Sequence, residues 1–171
     1  TSDAPGHSRR SMRARWGSAD SEDAGTTHLS IVDRWGNAVS MTATVESAFG
    51  SQRMASGFFL NNELTDFSFR PTIDGKPVAN AVAPRKRPRS SMSPTIVTDA
   101  DGELVLVVGS PGGSDIIGYV ARATIGILDW NLPVQTALDL GNATARFEAV
   151  EAEPARWPAG IGETLTARGW K

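Results

Sequence analysis

An α+β chain is predicted by three features of the sequence. One stretch alternates apolar and polar residues about a short turn and a second, more apolar one folds about Asp101-Gly102, a glycine-rich turn runs into an apolar helical pattern, and polar or proline-rich segments lie between them. The alternating stretch is HLSIVD followed by NAVSMTATVES. Leu29 and Ile31 share one face of its first strand, and Thr26, His28 and Ser30 share the other. On the second strand Val39, Met41, Ala43 and Val45 point one way, and Ser40, Thr42, Thr44 and Glu46 the other. Facing residues of an antiparallel pair lie on the same side of the sheet, so the even-numbered positions must match. A three-residue loop, Arg34-Trp35-Gly36, with glycine in the left-handed conformation, meets that condition. It pairs Asp33 with Asn37 and, counting back, sets Thr26 opposite Thr44 with Glu46 just beyond. Two hydroxyls and a carboxylate converge at one end of one sheet face. A face turned to solvent carries Thr and Ser just as readily, so the hairpin alone leaves both readings open.

The remaining elements follow in order. SGFFLNNEL reads as a third short strand, and residues 67–90 are proline-rich and irregular. SPTIVTDADGELVLVVGS is a second hairpin turning on Asp101-Gly102. PGGSDIIGYVARATIGILDWN is a glycine-rich turn leading into an amphipathic helix from about Asp115. PVQTALDLGNATARF opens on proline and continues in alanine-rich periodicity, which predicts another helix, and the tail holds one short helix. Residues 1–25 have little apolar periodicity and read as a linker or propeptide-like arm, leaving 26–171 as the folded part.

Composition excludes several classes. The 171 residues carry 17 Lys plus Arg against 19 Asp plus Glu, a formal charge of −2 that offers no global field for nucleic acid or an anionic membrane. No cysteine is present, which removes disulfides, thiolate nucleophiles and Cys-ligated zinc; two histidines are too few for a zinc site, and no cofactor is expected. Arg85, Lys86, Arg87 and Arg89 lack interleaved aromatics and read as a solvated or subunit-contact loop. No apolar run approaches the roughly 18 residues of a membrane span. No signal peptide is visible and the first residue is Thr1, as expected of a fragment or processed product.

The strings GTTHLSIVD, FFLNNELTDFS, KRPRSSMSPTIV and VGSPGGS occur in that order. Together they closely resemble the small, nucleophile-bearing subunit of γ-glutamyltransferases (γ-glutamyltranspeptidases) of the N-terminal nucleophile hydrolase superfamily, from about Thr26 to Phe147. The resemblance implies a four-layer αββα fold, of which this chain supplies the small-subunit part and a large subunit from the same precursor the rest. It also implies a periplasmic or secreted location.

The resemblance implies the site as well. Thr26 matches the catalytic threonine, freed by autoproteolysis at Gly25–Thr26. A threonine hydroxyl needs an adjacent base, and a free α-amino group with a pKa of about 8 can serve. Thr44 matches a second threonine that hydrogen-bonds the nucleophile. Glu46, Glu63 and Asp66 match positions that hold the α-ammonium of a γ-glutamyl substrate, as a carboxylate cluster suits; some family members have Asn and Gln at the first two. Ser90 and Ser91 match a pair that donates to the substrate's α-carboxylate. Gly112 and Gly113 match the oxyanion hole, formed by backbone N–H groups where side chains would crowd the approach. The implied activity is γ-glutamyl transfer and hydrolysis, with glutathione as donor and water, an amino acid or a peptide as acceptor. Two alternatives stay open: a cephalosporin (glutaryl-7-aminocephalosporanic acid) acylase with the same nucleophile, and an unprocessed, catalytically silent precursor. His28 has no Ser or Cys elbow beside it and reads as a packing or hydrogen-bonding residue.

Overall fold

The computed structural model describes residues 25–146 and 149–170; residues 1–24 of the predicted arm lie outside them. Strands β1 (Thr26–Val32) and β2 (Ala38–Thr44) pair antiparallel, with Thr26 opposite Thr44 and Val32 opposite Ala38. The loop between them has the predicted length. Asp33 N–H donates to the Asn37 carbonyl at 3.0 Å, Gly36 N–H donates to the Asp33 carbonyl at 3.1 Å, and Gly36 has φ 86°. The Asp33 carboxylate accepts from the Trp35 and Asn37 amides at 2.8 and 2.9 Å, an Asx turn that fixes the loop locally.

Next come two small hairpins: β3 (Met54–Ala55) with β4 (Phe58–Phe59), and β5 (Thr72–Ile73) with β6 (Lys76–Pro77). They correct the sequence reading twice. SGFFLNNEL is a turn at Ser56-Gly57, a two-residue strand and a 3-10 turn at Glu63–Asp66, in place of one strand. The stretch 67–90, read as irregular, contains the β5–β6 hairpin, closed by Asp74-Gly75 with both residues at positive φ, as a tight hairpin turn requires.

β7 (Thr95–Thr98) and β8 (Leu104–Val108) form the second predicted hairpin. Its loop repeats the chemistry of the first. The Asp99 carboxylate accepts from the Asp101 and Glu103 amides, each at 2.9 Å, and Asp99 N–H donates to the Glu103 carbonyl at 3.0 Å. A 3-10 turn, Gly113–Asp115, then leads into helix α1 (Ile116–Leu128), which α2 (Val134–Asp139) follows. The helix expected to continue through Phe147 stops at Asp139. Ala143–Arg146 is instead strand β9, paired with β10 (Ala149–Ala152). Gly141 is buried, with the Trp157 ring filling the space a Cβ would take, and Asn142 N–H donates to Glu153 at 3.1 Å. These tertiary contacts override the local helical pattern. The tail holds the one short helix expected, α3 (Ile161–Ala167).

The core lies between β8 and α1, where Leu106, Val108, Ile116, Val120 and Ala123 form one buried cluster. Ala137 of α2 packs against Gly126 of α1. The first hairpin meets the second through its polar face: the Ser40 hydroxyl donates to the Val108 carbonyl at 3.1 Å. Its apolar face is left open, with Ile31, Val39 and Met41 exposed by 55, 49 and 46%. Among the described residues the strands form separate two-stranded ladders, and no helix is long and apolar enough to cross a membrane.

Ile116 is 1% exposed and anchors the start of α1. Ile116→Ala is expected to cost about 2–5 kcal/mol, the range for emptying a buried aliphatic site, read as a fall in the urea midpoint of the purified protein. An unchanged midpoint would remove this residue from the core.

Candidate active site

The register of the first hairpin places two hydroxyls in contact. Thr26 Oγ1 lies 2.9 Å from Thr44 Oγ1. The Thr44 hydroxyl is also 3.3 Å from the Gly25 carbonyl oxygen, to which it donates, and it accepts from the Glu46 amide at 2.9 Å. A hydroxyl has one proton and two lone pairs. All three contacts are satisfied together when Thr44 donates to Gly25 and accepts from both Glu46 and Thr26. The Gly25 carbonyl receives a second donor, the Val45 amide, at 3.0 Å. A Cβ at Gly25 would come within 2.2 Å of the Glu46 carbonyl oxygen and 2.5 Å of that of Ser47. Both are backbone atoms that cannot swing aside. Only glycine fits there.

Just beyond β2 the acidic residues gather. Glu46 has φ 72°, a left-handed conformation uncommon for a side-chain-bearing residue and often met at functional sites. Its carboxylate accepts from the Asn62 side-chain amide and, at 2.7 Å, from the Ser47 hydroxyl. Glu63 and Asp66 stand at the two ends of the adjoining 3-10 turn. Burial pushes the Glu63 carboxyl above its ordinary value, and the charges of Asp66 and then Glu46 push it further. Asp66 is raised by burial and by Glu46, against an opposing pull from Arg89. One Glu63 oxygen is buried without a hydrogen-bond partner.

Two asparagines that sequence reasoning did not single out tie this region together. Asn62 accepts from the Ser47 amide at 3.1 Å through its side chain, while its own N–H donates to the Val45 carbonyl at 3.3 Å. Asn80 donates to the Asp66 carbonyl at 2.6 Å and accepts from the Arg89 amide at 3.1 Å. The second bridge carries the Ser90–Ser91 segment to the acidic turn. Ser90 is exposed, its oxygen accepting from the Met92 amide at 3.3 Å; Ser91 is half-buried. In the basic loop Lys86 donates to the carbonyls of Ala79 and Ala81, so one of its four cations is spent on the loop's own backbone.

The double glycine follows β8. Gly112 has φ 133°, and the Tyr119 ring occupies the space a Cβ there would need, 2.6 Å from its nearest atom. Among the described residues no backbone carbonyl accepts from the Gly112 or Gly113 amide. His28 lies on the polar face between Thr26 and Ser30. Its Nδ1 is 2.8 Å from the Thr42 hydroxyl, its Nε2 3.0 Å from that of Ser30, and burial lowers its pKa. With both ring nitrogens engaged, it is placed as a hydrogen-bonding residue of the strand. Among the described residues no group of three His, Cys, Asp or Glu side chains is arranged to hold a metal ion.

Comparison with known proteins gives a consistent picture. The family model described as gamma-glutamyltranspeptidase matches residues 2–171. The glutathione hydrolase proenzyme of Escherichia coli is 48% identical over 119 residues, 66% of this chain and 20% of that protein. That of Pseudomonas sp. strain A14 is 46% identical over 125 residues, 69% of this chain and 22% of that protein. This chain therefore spans about a fifth of the length of these curated relatives. A crystal structure of a mutant gamma-glutamyltranspeptidase from Helicobacter pylori superposes with a TM-score of 0.75 at 40% identity, covering 85% of this chain and 82% of that one. The enzyme from Pseudomonas nitroreducens superposes with the same score at 36% identity, covering 85 and 80%.

The acidic cluster generates a pH dependence. An ammonium group held by this cluster would bind the ionised carboxylates, so protons would compete with it. Affinity for an ammonium-bearing ligand such as glutamate is expected to fall as the pH drops through the raised Glu63 and Asp66 values, beginning above the ordinary carboxylate range of about 4. Binding within that window releases protons. For the empty pocket the sign is opposite: the raised values favour the fold below the ordinary carboxylate range, and that contribution is lost as pH rises through them. Calorimetric titration in buffers of different ionisation enthalpy measures the proton release. Glu46→Gln, which removes the charge both shifts share, should move the onset to lower pH. Affinity flat across the window would contradict the assignment.

Proposed function

The chain belongs to the γ-glutamyltranspeptidase family and has the α+β, N-terminal nucleophile hydrolase fold of that family, and on that premise we propose that it is the catalytic part of an enzyme that hydrolyses and transfers γ-glutamyl groups. Glutathione is the donor this reading favours, supported by relatives named glutathione hydrolase proenzyme. The observation that carries the proposal is the triangle of Thr26 Oγ1, Thr44 Oγ1 and the Gly25 carbonyl oxygen, with sides of 2.9 and 3.3 Å meeting at Thr44.

That triangle suits scission of Gly25–Thr26. Thr26 Oγ1 attacks the Gly25 carbonyl carbon, its proton passes to Thr44 Oγ1, and the proton of Thr44 passes to the carbonyl oxygen. The Val45 N–H steadies the same oxygen. Breaking the C–N bond, with a proton moving to nitrogen, leaves an ester on Thr26. Water then hydrolyses the ester, freeing the hydroxyl and the α-amine.

In the mature enzyme the α-amine takes the Thr26 proton as the hydroxyl attacks the γ-glutamyl carbonyl. Gly112 and Gly113 donate their amides to the resulting oxyanion, the amine product leaves with the proton, and water or an acceptor amine takes the glutamyl group from Thr26. Glu46, Glu63 and Asp66 hold the donor's α-ammonium, while Ser90 and Ser91 donate to its α-carboxylate. Asn62 and Asn80 orient these groups. A large subunit from the same precursor completes the αββα layers against the open face of β1–β2 and brings the cation that neutralises the carboxylate. A periplasmic or secreted location belongs to the same reading. A glutaryl donor has no ammonium for the acidic trio, and nothing else in the pocket favours it.

Thr26→Ala in the full precursor is expected to leave the chain uncut by mass spectrometry. It should lower γ-glutamyl-p-nitroanilide turnover by about 10³-fold or more, as loss of a nucleophile does. Thr26→Ser, which keeps a hydroxyl, should still be cut. Full turnover by the alanine variant would discard the proposal. Gly25→Ala should slow the appearance of a Thr26 terminus, followed by the loss of intact precursor with time, because its methyl group has no room beside Glu46 and Ser47. A wild-type rate would show that this close packing does not govern scission.

A further inference from the structure

The mechanism above leaves His28 without a task, although it sits on the same face as Thr26 and is fastened at both ring nitrogens. The ring's neighbour is Gly109, the first residue after β8. A Cβ at Gly109 would come within 2.1, 2.3 and 2.6 Å of three atoms of the imidazole. Gly109 does not adopt the left-handed conformation that elsewhere calls for glycine. Its lack of a side chain serves space alone, and the His28 ring fills that space.

We propose that His28 is a positioning residue for the oxyanion turn, holding Gly109 so that the Gly112 and Gly113 amides stand in a fixed relation to Thr26. The inference rests on the reading of Gly112 and Gly113 as oxyanion donors. A short segment, Ser110-Pro111, separates the held glycine from the donating ones, so a shift at its start reaches the amides with little slack. Ser40 reinforces the same point by donating to the Val108 carbonyl. The far end of the turn is held independently, by the Tyr119 ring against Gly112 and by Ile116 in the core. His28 is thus the link by which the nucleophile's own strand sets one end of the turn. Its lowered pKa keeps the ring neutral near neutral pH, so the role is steric and geometric.

The experiment is a double-variant cycle in the processed enzyme. His28→Ala leaves a hole beside Gly109, and Gly109→Ala drives the ring away. In the double variant the new methyl enters the vacated space. Each single variant should lose about 10- to 100-fold in kcat, the order that a 1 Å misplacement costs, with donor KM unchanged because the acidic pocket is built on other segments. The double variant should be faster than either single one. Losses that simply multiply, or His28→Ala with the wild-type kcat, would overturn the proposal. Amide hydrogen exchange of Ser110, Gly112 and Gly113 gives a readout that needs no activity: faster in His28→Ala and slowed again in the double variant. Unchanged exchange in His28→Ala rejects the role, whatever Thr26→Ala shows about the nucleophile. If His28→Ala yields no folded protein, kcat and exchange of Gly109→Ala alone decide.

Discussion

The parity of the first hairpin governs everything at this site. A slip of one residue in the β1–β2 pairing would turn Thr44 to the opposite face and take it away from Thr26. The hydroxyl contact cannot enforce the register by itself, since a neutral hydrogen bond nets only about 0.5–1.5 kcal/mol. The loop enforces it. Asp33 gathers the amides of Trp35 and Asn37, Asn37 returns its side-chain amide to Asp33 at 2.8 Å, and Gly36 supplies the left-handed residue. The geometry at Thr26 is therefore set at the other end of the hairpin, in an exposed turn that touches no part of the candidate site.

Which face of that hairpin is covered matters as much as its register. Ordinary amphipathic strands bury the apolar side. Here the polar side packs on β8 and the following turn, while Ile31, Val39 and Met41 remain exposed. A chain that spends its internal contacts on hydroxyls and an imidazole leaves its apolar surface for another layer, and the proposed large subunit supplies one. The same logic accounts for a core confined to β8, α1 and a few flanking residues.

Local chemistry was legible in the sequence; chemistry carried by single long-range contacts was not. Both long hairpins are legible because an Asp-x-x-Gly loop, with alternation in the first and an apolar run in the second, is a signal complete within a few residues. The start of α1 could be read from the glycine turn and the apolar run behind it. The β5–β6 hairpin escaped because its two-residue strands are too short to alternate and its Asp74-Gly75 turn is surrounded by prolines. Ala143–Arg146 was read as helix because nothing local announces that Trp157 packs on Gly141. Strand parity and family strings single out Thr26, Thr44, Glu46, Glu63 and Asp66 as candidates. Asn62 and Asn80 were missed because an amide bridging two loops leaves no spacing behind. His28 has no Ser or Cys elbow beside it in the sequence, and its contact with Gly109 crosses between hairpins.

The segment Thr44–Val45–Glu46 joins what would otherwise be separate devices. Thr44 touches Thr26, the proposed nucleophile, and the Gly25 carbonyl proposed for scission, the Val45 amide donates to that same carbonyl, and the Glu46 amide returns to Thr44. The Val45 carbonyl receives Asn62, whose side chain in turn holds Glu46. In the uncut chain two donors of this segment are therefore occupied by Gly25. Once the Gly25–Thr26 bond is hydrolysed and Gly25 withdraws, the Thr44 proton and the Val45 amide lose that acceptor together. The Thr44 hydroxyl is then able to donate to Thr26 Oγ1, reversing the direction of their bond. A threonine whose oxygen accepts a hydrogen bond, with its own amine newly free beside it, can surrender its proton to that amine. By this account scission supplies the base and re-aims the hydrogen bond in a single event, and the carboxylate pocket stays in place because Asn62 holds Glu46 from the side that the cut does not reach.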